Sequence, residues 1–234
     1  MRRSYLLLLA TLLLLGLMAG WALAGDIVTV PTANQLKAGE SDVALYYIGV
    51  DRDSLIAPLQ KLDIDSVRAQ TLYVGITDQV EVDAHRYDVD TLGTNTIWNS
   101  TIMVQPETGS HPIVVVGGRD LSRRYGHASY FVSAAKTLNP PVGGPPTEPI
   151  IRLHLSVGTK DNTLFGEKRH EGLFGGVQAV MRPASPMVGL IALYDGQDVI
   201  TGVTLVPEPK WPTIKGGTFG GHWWVGLSYT FNQK

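Results

Sequence analysis

Residues 222–231 constrain the fold more than any other stretch of the chain. Trp223, Val225, Leu227, Tyr229 and Phe231 fall on one side of an extended backbone, and His222, Trp224, Gly226, Ser228 and Thr230 on the other, because strand side chains alternate with period two. One face is wholly apolar and ends in aromatics. The other is small and mostly polar. A soluble sheet would press the apolar face onto a core. A transmembrane barrel would turn it to lipid, with Tyr229 and Phe231 in the aromatic girdle at the interface. The apolar face is assigned to lipid on this basis.

The same alternation recurs upstream. Val80, Val82 and Ala84 oppose Glu81, Asp83 and His85; Trp98, Ile102 and Val104 oppose Asn99, Thr101 and Met103. Ala128, Tyr130, Val132 and Ala134 oppose His127, Ser129 and Ser133, with Phe131 interrupting the polar side. Ile151, Leu153, Leu155 and Val157 oppose Arg152, His154 and Ser156. If the polar faces share one lumen, its candidate lining is His127, Ser129, Ser133, Arg152, His154 and Ser156. Further β-rich runs occupy 26–30, 43–50, 66–76, 112–118, 172–181, 187–194 and 199–206. Thr77-Asp78-Gln79 and Asp195-Gly196 mark tight turns. Residues 52–64, 139–149, 160–170 and 207–221 read as loops.

No segment holds a 3.6-residue period, so the chain is all-β. A closed antiparallel barrel of about 10–12 strands accounts for so many consecutive strands without leaving an edge exposed. Counting back from a closing strand that ends in the periplasm, the turns at Thr77 and Pro183 would face outward and the 160–170 loop inward. An interior of this size is expected to be narrow or plugged, with residues 26–39 as the candidate plug.

Composition agrees with a membrane wall. Charged residues make up 17% of the 234, against roughly 25% in soluble domains. Arg2 and Arg3, an apolar run and Ala22-Leu23-Ala24 build a cleavable signal peptide over 1–24, leaving one domain over 25–234. The absence of cysteine excludes disulfides, thiolate metal sites and a lipidated N-terminal Cys. A net charge of -2 gives no case for nucleic acid.

Several pieces together resemble the YjbH-type family of bacterial outer-membrane β-barrels. They are Val28-Thr29-Val30-Pro31-Thr32-Ala33 with Gly39, Val116-Gly117-Gly118-Arg119-Asp120-Leu121, Tyr130-Phe131-Val132-Ser133-Ala134-Ala135-Lys136 and Leu193-Tyr194-Asp195-Gly196. The resemblance implies a place in the outer membrane and a link to exopolysaccharide secretion or envelope assembly. Members of that family are often longer and lipoproteins, so this chain departs from the pattern as a single barrel unit without the lipoprotein cysteine. It implies no catalytic residue. Outer-membrane lipid is the expected partner, with polysaccharide or envelope proteins as further candidates.

Chemistry is sparse. The six histidines show no metal-ligand spacing. His154 and Ser156 share a strand face, but no G-x-S-x-G elbow accompanies them. No catalytic residue, cofactor or metal is assigned, and no enzyme activity is expected. Arg123, Arg124 and the run Glu167-Lys168-Arg169-His170-Glu171 read as solvated turns, or as contacts to lipopolysaccharide phosphates or an acidic polysaccharide. The alternative is an exported soluble β-sandwich, periplasmic or secreted, that binds carbohydrate or a protein partner through Trp98, Trp211, Trp223 and Trp224.

Overall fold

The structure is a computed structural model that describes residues 33–232, apart from 52, 54, 56–59, 62, 90–91, 139–148, 164, 182–185 and 209. The signal peptide expected over 1–24 and the run at 26–30 lie outside the described residues. The strands in chain order are β1 (Glu40–Gly49), β2 (Ser66–Gly75), β3 (Val80–Val89), β4 (Gly93–Gln105), β5 (Ile113–Arg119), β6 (Ser129–Leu138) and β7 (Ile150–Gly158). A short hairpin follows, β8 (Asp161–Thr163) and β9 (Gly166–Arg169). The rest are β10 (Gly172–Met181), β11 (Met187–Tyr194), β12 (Val199–Val206), β13 (Thr213–Phe219) and β14 (His222–Asn232).

All but β8 and β9 join one closed antiparallel barrel of twelve strands. Each strand pairs with its chain neighbour, except that β7 pairs with β10 across the β8–β9 hairpin. Closure comes from β14 on β1, running from Glu40↔Asn232 to Gly49↔Trp223. A single closed sheet replaces the two-layered sandwich considered as the alternative: every barrel strand is paired on both sides, and the other sheet among the described residues is the two-stranded β8–β9 hairpin.

The 207–221 stretch is not wholly loop, because Thr213–Phe219 forms β13. Its Lys215, Gly216 and Gly217 leave only Ile214 and Phe219 as large apolar positions, which hides the alternation. Gly220 and Gly221, both with positive φ (51° and 85°), make the tight turn into β14, a geometry that flanking right-twisted strands favour and that glycine adopts without strain. Recognising β13 shifts the strand parity by one. The connections after Gly75 and Met181 therefore lie at the barrel end that also holds the start of β1 and the end of β14. The 50–65, 120–128 and 159–171 connections lie at the opposite end. This reverses the orientation read from the sequence and puts the longer of those connections together, away from the terminal end.

The interior is packed with rings set against glycine. A Cβ at Gly226 would stand 2.3 Å from the Tyr46 ring, and one at Gly202 would stand 2.9 Å from the Trp224 ring. Tyr46 and Trp224 in turn meet edge to face at 6.1 Å. Glycine here is a packing choice: the ring of one strand occupies the space that a neighbouring side chain would need.

Candidate functional site

The outward faces form an apolar wall. Leu45, Leu72, Ile102, Val132, Leu155, Leu173, Leu190, Val203 and Ile214 are all exposed, each from a different strand. Trp223, Val225 and Leu227 are about half exposed (50%, 50% and 49%). Tyr229 and Phe231 continue that face, partly buried against each other at 4.6 Å. Aromatics gather toward the strand ends. Tyr47, Tyr130, Tyr194 and Trp223 lie toward one end of the barrel, and Tyr229 and Phe231 lie at the terminal end. Lys136 interrupts the wall near the terminal end, where its Nζ donates to the carbonyls of Thr108, Gly109 and His111. A long stem with its charge carried to a loop is how lysine is tolerated at such a boundary.

The inward faces hold most of the candidate lumen residues. Ser129, Ser133, His154 and Ser156 are buried. The Ser156 Oγ donates to Ser133 Oγ at 2.7 Å, and His154 Nε2 lies 3.0 Å from Gln178 Oε1. Arg152 sits nearer the terminal end, its Nη1 donating to Glu107 Oε2 (2.8 Å) and Thr137 Oγ1 (2.7 Å). Burial alone would raise the Glu107 carboxyl, but the Thr137 amide and the Arg152 guanidinium hold it below its ordinary value.

His127 is the exception. It is exposed in the turn before β6, with Nε2 3.0 Å from the Lys160 carbonyl. Its alternation with Ser129 does not reach the lumen because β6 begins only at Ser129, and positive φ at Arg123 and Gly126 redirects the chain just before it.

The 160–170 stretch holds a hairpin with several buried side chains in place of the solvated loop read from the sequence. Phe165, Arg169, His170 and Asp161 are all buried. Arg169 Nη1 binds the Asp195 carboxylate, and its Nη2 donates to Asp198 Oδ2 at 2.6 Å and to the Phe165 carbonyl at 3.1 Å. Its guanidinium lies 5.3 Å from the Phe219 ring centroid. Phe165 meets Phe219 and His222, both at 5.2 Å. On the other hairpin strand Asp161 accepts from Arg119 Nε at 3.0 Å and faces His170 Nδ1 at 3.2 Å. The sequence shows the charges but not their partners, since Arg119, Asp195 and Asp198 reach the hairpin only through barrel closure.

Residues 33–39 close the terminal end. Ala33 and Leu36 are fully buried. The Leu36 amide donates to Glu81 Oε2 (2.8 Å), Ala38 N to Asp78 Oδ1 (3.1 Å) and Gly39 N to the Gly75 carbonyl (3.1 Å). The described part of the candidate plug thus packs inside the barrel against β2 and β3. Deeper in, Asp83 accepts from Asn99 Nδ2 at 2.5 Å and lies 2.6 Å from His85 Nε2.

The hairpin clamp is sensitive to acid. Burial is the main effect holding the His170 imidazole below its ordinary value, and Arg119 adds to it. The Asp161 carboxyl is lowered against the pull of burial by His170 and Arg119. Both depressed groups add stability that is complete above their unfolded values of 6.5 and 3.8. It declines as pH falls, first through the histidine range and then through the carboxylate range. Hydrogen exchange of residues 161–170 is therefore expected to be slow at pH 7.5 and faster at pH ~5. Equal protection at both pH values would contradict this clamp.

No protein-family model and no curated protein matches this chain. Among solved structures it is similar to the COG4313 outer membrane channel from Pseudomonas putida F1, at 13% identity and a TM-score of 0.38, over 84% of this chain and 96% of that one. The closed barrel, with a largely apolar outer face and polar side chains buried beside an apolar core, fits an outer-membrane β-barrel.

Proposed function

We propose that this protein is an outer-membrane β-barrel of structural or export-accessory type, with a filled interior in place of a wide pore. The observation that carries the reading is the apolar outer face that most of the strands share. Leucine, valine, isoleucine and aromatic side chains are exposed on most strands, with Arg68, Gln70 and Arg86 as polar exceptions on β2 and β3. Asp42, Asp83, His85, Ser133, His154, Gln178 and Thr230 are buried inside beside apolar side chains such as Ile48, Phe131 and Ile200. A soluble barrel would not present so much apolar surface to water, and a membrane barrel turns it to lipid. Along β14 the apolar face from Trp223 to Phe231 spans roughly 27 Å of strand at ~3.4 Å per residue. Its nine residues match the roughly 9–11 that a strand tilted by about 45° needs to cross a bilayer.

The two interior blocks, residues 33–39 at one end and the β8–β9 hairpin at the other, favour a role other than free diffusion. The resemblance to the YjbH-type family supports the narrower reading, a part in exopolysaccharide secretion or envelope assembly. That role is non-catalytic, with outer-membrane lipid as the first partner.

Fractionation tests the membrane reading. The protein should stay with the outer-membrane fraction through carbonate and high-salt washes, and should migrate faster on a gel before boiling than after. Release by osmotic shock without detergent would refute it. In planar bilayers the unmodified protein should show no porin-sized conductance; a large, steady open pore would contradict the filled interior.

A further inference from the structure

The outer wall carries one feature that a smooth lipid-facing barrel does not need. Along β5 the outward positions are only Val114, Val116 and Gly118, whereas the flanking strands present Ile102 and Tyr130. The result is an open groove of about 630 Å³ lined by Ile102, Val116, Gly118, Leu121, Tyr130 and Val157, among others. Its volume falls within the roughly 300–1,000 Å³ of small-ligand sites, and its lining is almost wholly apolar. It lies at the barrel end opposite the termini, because Gly118, Tyr130 and Val157 all stand at the ends of their strands there.

The rim of the groove has a one-sided charge. The loop after β5 and the start of the β7–β10 connection hold two carboxylates, and both are turned inward. Asp120 accepts from Ser122 Oγ and from the Arg124 and Tyr125 amides (2.7, 2.7 and 2.6 Å). Asp161 is held by Arg119 and His170. The cations face the other way. Arg123 and Arg124 are exposed, Arg124 Nε donating to Asn95 Oδ1 at 2.7 Å, and Lys160 is partly exposed. The exposed His127 ring lies 3.0 Å from the Lys160 carbonyl and links the two loops. Arg123 follows Leu121 by two residues and Lys160 directly follows Thr159, and Leu121 and Thr159 line the groove. Two buried carboxylates, with cations that lie close in the chain to residues of an acyl-sized apolar trough, suit an anion with a hydrocarbon tail.

We infer that this groove binds an acyl lipid with a net-anionic phosphate headgroup, its chain along β5 and its phosphate between Arg123 and Lys160. The inference rests on the membrane reading above and adds a ligand class and a place. Phosphate suits this rim because arginine and lysine both pair with it, arginine through its planar fork and lysine as a point charge.

The test uses the full protein in dodecylmaltoside, titrated with dimyristoylphosphatidic acid, with dimyristoylphosphatidylcholine and with inorganic phosphate, and bound lipid counted by native mass spectrometry. One phosphatidic acid should bind about tenfold more tightly than phosphatidylcholine, and inorganic phosphate should not compete. The double variant R123A/K160A should lose that preference while keeping its affinity for phosphatidylcholine. Val116→Trp, which fills the trough, should weaken both lipids. Heat-modifiable migration checks that each variant is folded, and the comparison of lipids on the unmodified protein needs no variant. Equal affinity for the two lipids, competition by inorganic phosphate, or an unchanged preference in R123A/K160A would overturn the inference while leaving a heat-modifiable membrane barrel intact. Release of the protein by osmotic shock would overturn both readings.

Discussion

Arg169→Met is expected to destabilise the barrel by about 3–5 kcal/mol, the cost of leaving a buried carboxylate without its partner. Arg169 and Asp195 are both wholly buried, and Asp198 shares the same guanidinium. Methionine fills a similar volume, so the loss falls on the charge and not on packing. The urea midpoint of the reconstituted protein, followed by tryptophan fluorescence, measures it. Because the same guanidinium holds the β8–β9 hairpin inside the wall, the variant should also open the interior. Single-channel recordings should show larger and more frequent openings than the unmodified protein. Adding Asp195→Asn and Asp198→Asn to Arg169→Met should recover much of the stability, since it removes the orphaned charges. A single variant as stable and as closed as the parent would mean that the hairpin is held by its aromatic contacts alone.

The second large effect concerns the wall. Leu227 stands at the middle of β14 on the apolar face and is about half exposed. Leu227→Arg should cost about 2–4 kcal/mol if that depth is hydrocarbon, whereas a charge near the interface should cost ~0–1 kcal/mol. Thr218 supplies the comparison, because it is exposed on the same outer surface near the tight turn into β14. Thr218→Arg should therefore fold into vesicles with a nearly unchanged urea midpoint, and Leu227→Arg should fold poorly or not at all. Equal effects at the two positions would argue that the face meets water. The inward Ser228→Arg is a different experiment, since Ser228 is buried beside Ala44 and Thr213, so its cost reports on room inside the barrel and not on lipid.

The wall and the N-terminal plug were legible in the sequence, and the hairpin plug was not. Alternation is a local property, so the residues of β3, β6, β7 and β14 show which side chains share a face without reference to any other strand. Strand number and closure follow nearly as directly, because a chain of short alternating strands with tight turns must hide its edges. The lapses occurred where local pattern was weak. Glycine stood where apolar residues would have shown the pattern in β13, at Gly217 because the neighbouring Thr201 and Gly202 backbone fills the space, and one missed strand inverted the orientation of the whole barrel. His127 kept the alternating pattern two residues beyond the point where β6 begins.

The interior belongs to the tertiary structure. Arg169 becomes a clamp only because closure carries Asp195 and Asp198 to it from 26 and 29 residues away. Glu81 receives the Leu36 amide from 45 residues away. Charged side chains in a connecting segment read as solvated, since water is their cheapest environment unless a partner is delivered in the right geometry. The sequence by itself determined which face the clearly alternating strands show and favoured a closed sheet, because alternation depends on neighbours one or two residues apart. Only the closed barrel decided which charges are buried together and where the outer wall recedes, because those depend on strands meeting in space.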